Sequence, residues 1–92
     1  MQISPSWYRG SGSGVVVATP CDFIGALVTC SAAGDYIDIY DGADATSGRK
    51  IARLAGSGAG SFWFAPGTFR LSRGLYIVSS VGVSEFTVFY GV

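Results

Sequence analysis

The sequence predicts an all-β chain, an antiparallel β-sandwich or jelly roll of about eight short strands with an extended N-terminal arm. Three observations predict it. Apolar residues alternate with polar ones at a period of two, most clearly where Ile37 and Ile39 interleave with Tyr36, Asp38 and Tyr40. Glycine and proline clusters punctuate the chain at intervals of about 8–12 residues. Nowhere do apolar residues recur at i, i+3, i+4 and i+7 over three turns, so almost no helix is expected.

Residues 1–14 read as an arm followed by a linker, and residues 15–92 as a single sandwich domain. The arm combines Ile3, Pro5, Trp7 and Tyr8 with Arg9, and Gly10-Ser11-Gly12-Ser13-Gly14 is a flexible run of linker composition. Two readings of Trp7 and Tyr8 stand side by side: they pack on a neighbouring subunit, or the segment folds back as an edge of its own domain. Val15 to Thr19 is a β-branched run ended by Pro20. Phe23 to Cys30 is a second apolar run, in which Gly25 marks a bulge or a close backbone approach. Residues 35–40 form a strand with Ile37 and Ile39 on its dry face. Asp41-Gly42 and Ser47-Gly48 then turn the chain, and residues 50–54 return as an antiparallel partner.

After the flexible turn Gly56-Ser57-Gly58-Ala59-Gly60 comes Ser61-Phe62-Trp63-Phe64, where Phe62 and Phe64 must point opposite to Trp63. One face there therefore carries exposed or interfacial aromatic surface. Pro66-Gly67 turns the chain, Thr68 to Leu71 alternates with Phe69 and Leu71 inward, and Arg73-Gly74 turns it again. Gly74 to Ser80 and Phe86 to Tyr90 supply the last two strands. The core is expected to gather Ile37, Ile39, Phe69, Leu71 and Val88.

A chain of 92 residues has room for one core, and its 49% apolar and 13% charged composition is greasy for so small a monomer. Some apolar surface is expected to meet another chain. Six cations balance six anions, so neither a phosphate backbone nor an anionic membrane surface is an expected partner. No apolar run approaches the roughly 18 residues of a membrane span. Met1-Gln2-Ile3-Ser4-Pro5 lacks the basic start and apolar stretch of a secretory signal, so the expectation is a cytosol-made chain that is not exported. If residues 23–30 form one strand, Cys21 and Cys30 lie about 25–30 Å apart at ~3.3 Å per residue and are expected as two reduced, partly buried thiols.

Catalytic chemistry has little to draw on. There is no histidine, one glutamate (Glu85) and one lysine (Lys50), and no serine sits in a strand-Gly-x-Ser-x-Gly-helix context. Gly56 to Gly60 contains a Gly-x-Gly pattern, but it joins strands and opens no helix toward a phosphate. Asp35, Asp38, Asp41 and Asp44 recur every third residue, and strand residues three apart face opposite ways. Asp41 and Asp44 together have the chemistry for calcium, yet they match no calcium-loop signature. An Asx turn at Asp41 and plain solvation of Asp44 are the readings adopted here. No catalytic, cofactor or metal site is expected.

The hairpin from Tyr36 through Asp41-Gly42, Ser47-Gly48 and Ile51-Ala52, with Phe62 to Phe64, Gly74-Leu75-Tyr76-Ile77 and Thr87-Val88-Phe89-Tyr90, resembles small virion-associated β proteins of tailed bacteriophages. What this resemblance implies is a structural role on a capsid or in a tail. Asp35 to Gly42 also looks like the central strand of CUB domains, extracellular jelly rolls that use an Asp at the position of Asp35 as a calcium ligand. Here the acidic residues that would complete such a site are missing from the N-terminal half, the cysteines are spaced differently from the strand, and no export signal is present.

The expected function is that of a non-enzymatic virion structural protein assembled in the host cytoplasm, most of all a decoration or cement protein. Its partners would be a major capsid protein or a tail protein, and its own copies in a homo-oligomer. The contact residues named from the sequence are Trp7, Tyr8, Arg9, Trp63, Tyr36 and Tyr40. The alternatives are a tail-associated structural protein and a carbohydrate- or receptor-binding module. In the latter, Trp63, Tyr36 and Tyr40 would form a stacking platform and Asp38 would accept hydroxyl hydrogen bonds.

Overall fold

The computed structural model describes residues 5–65 and 67–91. Met1 to Ser4 of the arm, Pro66 of the Pro66-Gly67 turn and Val92 lie outside the described residues. The strands are β1 (Pro5–Gly10), β2 (Gly14–Val17), β3 (Cys21–Cys30), β4 (Tyr36–Asp41), β5 (Arg49–Ala55), β6 (Gly60–Phe64), β7 (Phe69–Leu71), β8 (Leu75–Ser79) and β9 (Val83–Gly91). No helix occurs among the described residues.

Two antiparallel sheets make a β-sandwich. The first runs β1-β9-β3-β6, with β7 also paired to β3, and the second runs β2-β8-β4-β5. The β4–β5 hairpin pairs Ile37 with Leu54 and Asp38 with Arg53, as the alternation of residues 35–40 requires. Every other strand of the second sheet comes from a separate part of the chain, so its register is set by burial rather than by turns.

The core lies between the sheets. Phe23, Ala26 and Val28 of β3, Ile37 and Ile39 of β4, Leu75 and Ile77 of β8, and Phe86 and Val88 of β9 are all buried. Cys21 and Cys30 are free thiols, buried at opposite ends of β3. Burial pushes the Cys21 thiol up, since a thiolate there would lose its hydration.

Residues 5–10, the part of the arm for which docking on a neighbour and an edge of its own domain were both open, form the edge strand of the first sheet, in register with β9 from Pro5↔Gly91 to Gly10↔Phe86. The physical reason is that β9 offers an open backbone edge, and Gly10 to Gly14 lets the chain cross to the second sheet. The described part of the arm therefore belongs to the same sandwich as residues 15–91. Phe69, expected inward, is 39% exposed. It pairs with Phe23, but β7 is three residues long at the sheet's margin, and little covers its ring.

Asp38 is the larger departure. On the outward side of β4 it is only 3% exposed. Arg53 donates to its carboxylate from Nε at 2.8 Å and from Nη2 at 3.0 Å, and Lys50 Nζ lies 3.3 Å away. Loss of hydration alone would raise the Asp38 pKa, but the guanidinium and ammonium outweigh it and hold the carboxyl below its usual range.

The remaining aspartates tie loops together. Asp35 accepts from the Ser31 hydroxyl at 2.9 Å, the Ser31 and Ala32 N–H groups at 3.2 and 3.0 Å, and the Ser80 hydroxyl at 3.2 Å. The local turn expected at Asp41 belongs instead to Asp44, which accepts from the Thr46 and Ser47 N–H groups at 2.9 and 2.7 Å. Asp41 reaches across the chain to the Ser72 and Arg73 N–H groups at 3.2 and 2.8 Å, joining the β4–β5 loop to the β7–β8 turn. It can do so because it is the last residue of β4 and pairs with Leu75 at the start of β8.

Candidate partner-binding face

The outer face of the first sheet is built from alternate residues of four strands. In β1, Trp7 and Arg9 face outward, and Trp7 pairs with Phe89 of β9 while Arg9 pairs with Thr87. Phe89 is also the partner of Gly25 in β3, and Leu27 stands between Thr87 and Trp63 of β6. Trp7 is 67% exposed, Trp63 56% and Leu27 40%.

Gly25 is what makes this an aromatic row rather than separate side chains. The β3–β9 register shifts between Phe23 and Gly25, so one extra residue, Ile24, enters β3 at this point. With no side chain at Gly25, the Trp63 ring crosses β3 and meets Phe89 edge-on, centroids 5.5 Å apart at 68°. A Cβ at Gly25 would stand 2.8 Å from the Phe64 carbonyl oxygen and 3.1 Å from Trp63 Cη2. Trp7, Phe89 and Trp63 thus span the sheet from edge to edge. Polar pairs border the row: Arg9 with Glu85 and Thr29 with Ser61 at one end, Asp22 with Arg70 at the other. The Glu85 carboxylate holds the Arg9 guanidinium above its ordinary pKa.

The six contact residues named from the sequence divide between the two sides of the molecule. Trp7, Arg9 and Trp63 share the outer face of the first sheet. Tyr8 points the other way from Trp7 and sets its ring 6.3 Å from that of the buried Phe86. Tyr36 and Tyr40 lie on the outer face of the second sheet, where Tyr40 meets Tyr76 edge-on at 6.5 Å. Arg53 covers the Tyr36 ring at 3.7 Å. Trp63, Tyr36 and Tyr40 therefore do not form one platform, and the Asp38 oxygens are already held by Arg53 and Lys50.

Sequence reasoning missed Phe89 and Leu27. Leu27 sits in the unbroken apolar run from Phe23 to Cys30, where no alternation assigns a face, and Gly25 was the one local sign that something crosses β3. Among the described residues, no group of three or more His, Cys, Asp or Glu side chains stands close enough to hold a metal. The depression of about 240 Å³ lined by Arg9, Gly10, Ser11, Ser84 and Glu85 is open and smaller than a typical small-molecule site. No family model, curated protein or solved structure matches the chain.

Proposed function

We propose that the chain is a non-enzymatic structural protein of a virion, a capsid decoration or cement protein whose assembly contacts, with its own copies among them, run through the outer face of its first sheet. The observation that carries the attachment is the aromatic row Trp7–Phe89–Trp63. From the exposure of its two tryptophans, the row and Leu27 leave roughly 300 Å² of contiguous apolar surface in water, comparable to the largest patch on a typical monomer. Such a patch with a polar border matches the anatomy of a protein interface. The virion assignment is supported by the likeness of residues 36–90 to small phage β proteins, whose shared motifs are strand and turn chemistry. The capsid is chosen over the tail because a broad, flat attachment face suits a shell lattice.

The test is to purify particles from the organism that encodes the chain, count its copies by mass spectrometry and locate them by gold labelling. Many copies over the shell are expected. Particles that carry none would refute the reading, and label confined to the tail would move the assignment there.

A further inference from the structure

We infer that the aromatic face joins two copies of this chain into a face-to-face dimer. The inference rests on the reading that this face is an attachment surface, and it names a second copy as the occupant. Area is the first argument. Four strands at about 4.8 Å spacing, with β9 running roughly 30 Å, present on the order of 500 Å² of flat surface. With the relief of two tryptophans, the accessible area each copy loses approaches the ~800 Å² per partner of a standard interface. The molecule is a slab of 38 × 28 × 18 Å with two broad faces, and the exposed Trp7, Trp63 and Leu27 mark this one for pairing.

Charge is the second argument. The face carries Arg9 beside Glu85 and Arg70 beside Asp22, so each charge enters the interface inside a neutral pair and the face has no net charge to set against a second copy. Geometry is the third. A two-fold axis running along the strands between β9 and β3 lays β1 of each copy on β6 of the other. Trp7 and Arg9 of one copy then meet Trp63 of the other, an arrangement that suits a guanidinium on an indole face. A sugar is the weaker fit. Trp63 and Phe89 stand at 68° and offer no flat platform, and the Thr29 and Ser61 hydroxyls lie 2.9 Å from each other, already paired.

Sedimentation velocity of the full chain up to about 200 µM tests the inference. A dimer is expected, with Trp63→Ser and Leu27→Asp each weakening it at least ~30-fold, as central aromatic and apolar contacts do. Both side chains are partly exposed and lie outside the core, so the two variants should stay folded and melt within about 10 °C of wild type. Val81→Ser, at a fully exposed position between β8 and β9, should leave the dimer intact. A monomer at every concentration, or a dimer indifferent to both face variants, would overturn the inference. A monomeric chain that still decorates particles through Trp63 would overturn the dimer alone. A face-dependent dimer absent from particles would uphold the dimer and remove the virion reading.

Discussion

Replacing Gly25 with alanine should destabilise this protein, against the usual direction of that exchange. Gly→Ala at a position whose backbone suits alanine normally stabilises by about 0.4–1 kcal/mol, because the unfolded chain loses freedom. Gly25 is not among the glycines with positive φ, so its backbone sets no barrier. Crowding decides the sign instead. The new Cβ would lie 2.8 Å from the Phe64 carbonyl oxygen, a backbone atom fixed by the β3–β6 ladder, and 3.1 Å from the Trp63 ring. Relieving that overlap by moving a paired strand falls in the overpacking range of about 1–3 kcal/mol. Expelling Trp63 from Phe89 forfeits a further ~0.5–1.5 kcal/mol. The net expectation is a loss of about 1–3 kcal/mol. Urea melts give the magnitude, and a red shift of tryptophan emission in the native state reports the displaced ring. Gly58→Ala is the control, because a Cβ there meets nothing within 4 Å; it should be neutral or slightly stabilising. If Gly25→Ala proved as stable as wild type with unchanged emission, the crossing of Trp63 over β3 would be refuted.

Ile39→Ala, at a buried position between the sheets, should cost about 2–5 kcal/mol as a cavity substitution, and Tyr36→Ala much less; the opposite ranking in urea would mean a one-residue slip of β4. Asp38→Ala should cost about 1–3 kcal/mol at neutral pH through its lost ionic hydrogen bonds. Because the folded carboxyl titrates below its unfolded value, that contribution is present above about pH 4 and fades as pH falls through the folded pKa. The gap between Asp38→Ala and wild type should therefore narrow toward pH 3, and a gap that widened there would contradict the ion pair. Deleting residues 1–9 should leave the sandwich folded but strip most of β1 from β9, lowering stability by about 1–3 kcal/mol, or roughly 5–20 °C in melting temperature. An unchanged melt would show that β1 is not held on its own sheet.

The β4–β5 hairpin was legible because one face of β4 is dry and the other wet, so alternation and register coincide. The same alternation misplaced Asp38 in solvent: a period of two assigns a face but not its cover, and Arg53, which lies on the Tyr36 ring, and Lys50 close over the carboxylate. Alternation sets Trp63 opposite to Phe62 and Phe64 without saying which side is wet; both phenylalanines pack against the core, which leaves Trp63 outward. The row it belongs to was not legible. Its members come from β1, β9, β3 and β6, and only strand order brings them together. The arm was ambiguous for a similar reason. Trp7 and Tyr8 face opposite ways, one outward and one over the edge toward Phe86, which no local pattern distinguishes from docking on a neighbour.

The most direct test of the central claim is the copy number of Trp63→Ser on purified particles, measured in competition with wild type. Trp63 is more than half exposed and its loss leaves the sandwich core untouched, so a change in incorporation reports the face rather than the fold. The account predicts that the variant stays folded, melting within about 10 °C of wild type, and is outcompeted at least ~10-fold, as expected when a central interface tryptophan is removed. Equal incorporation of the two chains would contradict it.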